Sequence, residues 1–154
     1  MYNYPKRKPN RLKNFDYSQN GTYFITICAK NQALIFSDFN DKGFLELSDI
    51  GKCIESTIIN QNKPNINIPL YVIMPNHIHL IIHIKEQTVS SEKYSVHQIV
   101  SNIKSYVTKQ IEFSPWQKSF YDHIIRSKTV YCKIVEYIKN NPKNWQDDCF
   151  YMPK

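Results

Sequence analysis

Nowhere in the 154 residues does an apolar run approach the roughly 18 residues that crossing a membrane requires, and no apolar stretch follows the basic start as an export signal would. The expectation is a cytoplasmic protein with no membrane partner. Cysteine is sparse and scattered: Cys28, Cys53, Cys132 and Cys149 form neither CxxC pairs nor a dense framework, which argues against a zinc module and a small disulfide scaffold alike. They read as reduced, mostly buried small hydrophobes. Acids are also in deficit, 13 against 20 lysines and arginines, so the chain carries a net charge of +7 and attracts a polyanion, either nucleic acid or an acidic membrane surface. Internal repeats, low-complexity tracts and interdomain linkers are missing, and 154 residues suit one core rather than two.

What is present is material for a packed interior: 42% hydrophobic residues, with 11 tyrosines and 8 phenylalanines. Residues 1–14 hold two prolines among Lys6, Arg7, Lys8, Arg11 and Lys13 without an apolar period, so they are expected to form an extended basic arm ahead of a domain over 15–154. Tyr23 to Ala29 reads as a first strand. Segments 33–36 and 44–47 flank Asn40, Asp41 and Gly43 in the manner of a hairpin. Ser48 can cap a helix with Ile50, Cys53, Ile54, Thr57 and Ile58 at helical spacing. Leu70–Met74 and His77–Lys85 read as two strands joined at Pro75 and Asn76. A polar loop over 86–94 then leads to Ser95 and Gln98, a capping-box pair ahead of a helical stripe from Val96 to Ile111. A short strand around Phe120–Arg126 precedes a last helix from about Thr129 to Asn140, ended by Pro142. This order predicts an α+β fold, an antiparallel sheet covered by helices, close to the ferredoxin-like or RRM-like arrangement.

Two features carry chemistry. In the strand NHIHLIIHI, alternation sends His77, His79, Ile81 and His83 to one face, so the imidazoles of His77 and His79, two residues apart, point the same way from a rigid element and can hold a metal ion. The same spacing also fits histidines that merely line a half-exposed sheet. In the last helix Lys133, Tyr137 and Asn141 recur every four residues, which puts a tyrosine beside an amide on one stripe. Tyr137 is either a nucleophile or one more aromatic at the edge of the core.

Four blocks in order, FDYSQNGTYFITIC, MPNHIHLII, WQKSFYDHIIR and VEYIKNNP, resemble the REP-associated tyrosine transposases, members of the wider single-tyrosine HUH transposases. The resemblance runs from about Arg11 to Trp145. It implies an HUH endonuclease-type fold, a metal-binding pair at His77 and His79, and Tyr137 as the residue that attacks a phosphodiester in single-stranded or hairpin DNA. The expected ion is Mg²⁺ or Mn²⁺, and the expected products are a 5′-phosphotyrosine and a free 3′-hydroxyl that permit strand transfer. Related insertion-sequence enzymes place a metal-binding glutamine where this chain has Asn141, whose side chain is one methylene shorter; water or an acid such as Asp122 is an alternative third ligand. The resemblance also implies a bacterial, nucleoid-associated protein. It leaves open a homodimer in which Tyr137 serves its own histidine pair or that of a partner copy.

For binding DNA, Arg11 and Lys13 in the arm, Lys104 and Lys109 on the second helix and Arg126 after the last strand are candidate phosphate contacts. Trp116 and Tyr121 are candidates for stacking on unpaired bases, although a tryptophan is as readily a core residue. Two rival readings keep the fold and drop the chemistry: a non-catalytic nucleic-acid-binding module, and a plain nuclease in which water attacks and Tyr137 is structural.

Overall fold

The computed structural model describes residues 20–85 and 93–154. The expected basic arm, with Arg11 and Lys13, lies outside the described residues, as does most of the loop expected over 86–94.

The main sheet has four strands, β1 (Gly21–Cys28), β4 (Ile66–Ile73), β5 (His77–Ile84) and β6 (Tyr121–Ile125), in the order β4-β5-β1-β6 with every neighbouring pair antiparallel. A separate hairpin, β2 (Ser37–Phe39) and β3 (Leu45–Leu47), is inserted after β1. Three helices complete the chain: α1 (Asp49–Ile59), α2 (Val96–Ile111) and α3 (Lys128–Asn140). Without the inserted hairpin, the succession β1-α1-β4-β5-α2-β6 is the ferredoxin-like split βαβ arrangement that the pattern predicts. α3 is additional and lies on the face that a bare sheet of this kind leaves open.

Register sorts the two faces. Ile27 pairs with Ile78, Ile25 with Leu80 and Tyr23 with Ile82, and these side chains pack under α1 and α2 through Ile54, Ile58, Ile99, Val100, Ile103 and Val107. On the opposite face Cys28 pairs with His77, Thr26 with His79, Phe24 with Ile81 and Thr22 with His83. Because apolar residues saturate the first face, the histidines are left to the second.

The helix starts follow their caps: the Ser48, Ser95 and Ser127 hydroxyls accept from the backbone N–H of Gly51, Gln98 and Val130. Gly51 is required by close approach, since a Cβ there would stand 2.0 Å from the Phe36 carbonyl oxygen.

Two strand boundaries differ from expectation. β4 begins at Ile66, upstream of Leu70, and runs through Pro69 with a register shift between Asn67 and Leu70. An edge strand tolerates this because the missing proline N–H faces no partner. The small hairpin starts at Ser37 rather than Ala33, because the Asn40 side chain accepts from the N–H groups of Lys42 and Phe44 and builds the turn there.

Candidate active site

His77 opens β5 beside Asn76 of the preceding turn. The Asn76 amide donates to the Phe150 carbonyl (2.8 Å), which turns its own oxygen to the His77 Nδ1 at 2.9 Å. Nδ1 therefore carries the proton and Nε2 keeps its lone pair. Two residues on, the Thr26 hydroxyl of β1 lies 2.7 Å from His79 Nδ1 and orients that ring in the same way. The two imidazole centroids are 4.6 Å apart. Phe150 lies against the His77 ring at 4.5 Å and Trp145 follows at 5.9 Å, so the segment after α3 roofs the histidines. The two histidines do not line a half-exposed stretch of sheet: His77 is 0% and His79 2% exposed, whereas His83, further along the same face, is half-buried.

α3 brings Tyr137 over the pair. Its hydroxyl is 3.4 Å from His79 Nε2 and 3.5 Å from Asp148 Oδ2, and its ring meets Phe24 edge-on at 6.2 Å. One turn later Asn141, buried where α3 ends, donates through Nδ2 to Asp148 Oδ2 at 2.8 Å. That carboxylate also lies 3.9 Å from His77 Nε2, and its other oxygen accepts from the Phe150 N–H at 2.8 Å.

His77, His79 and Asp148 each offer one ligand atom, and all three atoms lie within 4.8 Å of one another. Among the described residues, His77 Nε2 and Asn141 Oδ1 are buried with no hydrogen-bond partner. Two orphaned lone pairs beside a buried carboxylate are costly, and a cation between them relieves the cost. Two imidazoles with one carboxylate are a donor set that suits divalent transition ions and tolerates Mg²⁺ poorly relative to Mn²⁺. The residues present thus fit a divalent ion.

Protonation states agree with that fit. Burial drives His77 down to about 4, against the opposing pull of the Asp148 carboxylate and the Asn141 amide. His79 is pushed well below the usual imidazole range by burial and then by His77. Both are neutral at pH 7, the form that ligates metal. The Tyr137 phenol is pushed up to about 12 by burial and by the charge of Asp148, so it holds its proton at pH 7.

Of the residues singled out by sequence, the structure brings His77, His79, Tyr137 and Asn141 together and keeps others apart. Asp122 is not near the pair: it is in register with Ile25, whose side chain belongs to the opposite face. The acid that does face the site, Asp148, went unnoticed because it follows a 3-10 turn (Trp145–Asp147) and has no periodic relation to α3. Its one trace in sequence is the acidic pair Asp147 and Asp148, six and seven residues after Asn141. Trp116 is corrected to a core residue, since it packs on Phe36 at 5.3 Å and donates its indole N–H to the Lys104 carbonyl, leaving little ring for a base. Lys104 is bound to the protein itself, its ammonium donating to the Gln117 and Ser119 carbonyls. Lys109 is exposed on α2, and Arg126 is exposed at the far end of the sheet, beyond the pairing of Thr22 with Ile125. Tyr121 is exposed on the same sheet face as the histidines, in register with Thr26.

No family model matches the chain. It is similar to an uncharacterized protein of Haemophilus influenzae, 35% identical over 95% of this chain and 93% of that protein. Among solved structures, a REP-associated tyrosine transposase bound to a REP hairpin superposes with a TM-score of 0.65 at 22% identity, covering 88% of this chain and 74% of that one. A candidate transposase from Deinococcus radiodurans gives a TM-score of 0.50 at 13% identity, over 84% of this chain and 95% of that one. At these identities the likeness is one of fold: an antiparallel sheet covered by helices. No helix among the described residues is long and apolar enough to cross a membrane.

Proposed function

We propose that this chain, which belongs to one family with the uncharacterized Haemophilus influenzae protein, is a metal-dependent single-tyrosine HUH transposase that cuts and rejoins single-stranded or hairpin DNA. The observation that carries this reading is the position of the Tyr137 hydroxyl, 3.4 Å from His79 Nε2 at the edge of a buried His–His–Asp cluster. A free tyrosine attacks phosphorus poorly, and a phenol raised to about 12 does so worse still. The placement makes chemical sense only with positive charge beside the hydroxyl.

His77 and His79, with Asp148 and the Asn141 carbonyl as further donors, would hold a divalent ion, Mg²⁺ or Mn²⁺, which supplies Lewis-acid charge against the phosphoryl oxygens and the developing phenolate. The chain's own residues do the rest. Asn76 and Thr26 fix the two rings, and Asn141 fixes the carboxylate. α3 presents the Tyr137 oxygen to the phosphorus: a bond forms from that oxygen to phosphorus as the phenol gives up its proton to solvent, the bond from phosphorus to the 3′-oxygen breaks, and the departing 3′-oxygen takes up one proton in its place. The product is a 5′-phosphotyrosine with a free 3′-hydroxyl, and the reverse step on another 3′-hydroxyl rejoins strands without an external energy source.

The test is to incubate the protein with single-stranded oligonucleotides and Mn²⁺, then look for protein-linked DNA on a denaturing gel. An adduct with wild type that is lost in Tyr137→Phe supports the reading. Cleavage without an adduct would make the protein a plain nuclease, and binding without cleavage would make it a non-catalytic module.

A further inference from the structure

Cys28 and Cys149 border the histidine cluster, and the proposed chemistry uses neither. Cys28 ends β1 directly opposite His77, so its side chain is on the histidine face beside that imidazole. Its backbone is held from both sides, by the ladder to β5 and by the Gln117 N–H, which donates to the Cys28 carbonyl at 2.9 Å. Cys149 belongs to the segment that roofs the pair. It lies between Asp148, whose carboxylate is 3.9 Å from His77 Nε2, and Phe150, whose ring is 4.5 Å from that of His77. Asp148 folds this segment into a tight turn: its side chain accepts from the Phe150 N–H, and its carbonyl accepts from the Tyr151 N–H at 3.0 Å. Cys149 is at the corner of that turn.

One thiol therefore belongs to the fixed sheet and the other to the roof, with His77 as their common neighbour. The two are close enough to sense each other: burial pushes the Cys28 thiol up to about 12, and the charge of Cys149 adds to that push. The remaining thiols are elsewhere, Cys53 on α1 against the opposite face of the sheet and Cys132 exposed on α3. Access differs within the pair as well, since Cys28 is buried and Cys149 exposed. A soluble oxidant meets Cys149 first, and Cys28 is positioned to resolve the product.

We propose that Cys28 and Cys149 form a reversible disulfide, driven by a peroxide, that latches the roof onto β1 over the histidine pair. One peroxide oxidises the Cys149 sulfur to a sulfenic acid and leaves as water. The Cys28 sulfur then attacks the Cys149 sulfur, the S–O bond breaks, and the hydroxyl departs with the Cys28 proton as a second water. Two thiols thus give up two hydrogens to one peroxide, and an external dithiol returns them. Neither thiol is acidified, because burial and then Asp148 raise Cys149 too, so the bond forms slowly and under sustained oxidant. With His77 0% and His79 2% exposed, an ion enters or leaves only if the roof moves, and the latch slows that exchange. The effect on the ion rests on the reading of the cluster as a metal site; the disulfide itself does not.

The full chain is treated with hydrogen peroxide, its remaining thiols are alkylated, and the non-reduced digest is mapped by mass spectrometry. Amide hydrogen exchange over 148–151 and the release of bound Mn²⁺ to a chelator are followed before oxidation, after it, and after dithiothreitol. The expected result is a peptide pair joined through Cys28 and Cys149, with Cys53 and Cys132 alkylated. Amide exchange in the turn and Mn²⁺ release should each slow by about tenfold and recover on reduction. Cys149→Ser, an exposed position whose variant is checked for folding by circular dichroism, should show none of these changes, and Cys132→Ser should show all of them. A disulfide between two copies, a link through Cys53 or Cys132, no link at all, or a Cys28–Cys149 link with unchanged amide exchange would each overturn the proposal. Absence of Mn²⁺ binding by the reduced wild type would remove the metal reading, and the mapped link and the amide exchange would still decide the latch.

Discussion

Asn141 donates its amide hydrogen to Asp148 Oδ2 across 2.8 Å, and through that bond the end of α3 is tied to a carboxylate that faces His77 from a later segment. The pair makes the His–His–Asp cluster and the tyrosine helix one mechanical unit: the residue one turn beyond Tyr137 sets where the third candidate ligand sits.

Removing the charge at this junction is therefore expected to act on metal binding first. Asp148→Asn, which keeps the shape, should lower Mn²⁺ affinity in isothermal titration by more than a hundredfold. Asn141→Ala, which leaves the carboxylate unsupported, should lower it about 10- to 100-fold. Equal affinity in Asp148→Asn and wild type would exclude the carboxylate from the ion.

Tyr137→Phe should lose the protein–DNA adduct while still binding DNA, whereas Tyr121→Phe and Tyr131→Phe should keep it. Helical rotation predicts that Tyr131 points well away from Tyr137. In the structure Tyr131 also rests on the sheet, but 5.9 Å from the ring of His83, at the other end of β5 from His77. A denaturing gel of the three variants decides, and an adduct that vanished only in Tyr121→Phe would move the nucleophile.

Metal ligands on an open surface can be truncated without penalty, but His77 and His79 are not on one. Each His→Ala change leaves a buried void and, for His79, deprives the Thr26 hydroxyl of its partner. We expect a loss of about 2 kcal/mol or more from urea unfolding in the presence of chelator, together with abolished Mn²⁺ binding. His→Ala variants as stable as wild type would contradict the burial described for the pair.

Acid should destabilise the metal-free protein through the same residues. The folded-state pKa of His77 lies near 4 and that of His79 is depressed as well, against about 6.5 in the unfolded chain. Between these limits the unfolded state binds more protons, so stability falls as pH drops. The contribution is complete above about pH 6.5 and is lost progressively toward pH 4. Urea unfolding at a series of pH values in chelator should show this slope, and saturating Mn²⁺ should flatten it. A slope of opposite sign would mean that the histidines are charged in the folded protein.

Much of this was legible from local pattern. The Ser48 and Ser95 caps, the apolar stripe of α2 and the strict alternation of β5 are short-range signals, and each element stands within a few residues of where they put it. The departures have tertiary causes. Pro69 is harmless because β4 turned out to be an edge strand, and the small hairpin moved because Asn40 nucleates its turn.

By itself the sequence determined that His77 and His79 share one face of a strand and that Tyr137 and Asn141 share one stripe of a helix, because side-chain periods of two and 3.6 residues follow from backbone geometry alone. Whether those two surfaces met was a tertiary decision. It depended on α3 crossing the sheet face that α1 and α2 leave free, and on a segment after α3 returning so that Phe150 covers His77 and Asp148 faces it. A carboxylate supplied from an aperiodic turn has no local signature, and the burial that holds the histidines neutral belongs to the packed whole rather than to any strand. Charge follows the same division: the sequence determined an excess of lysine, and only packing separated Lys104, whose ammonium is used internally, from Lys30, Lys109 and Lys118, whose charges remain open to a partner.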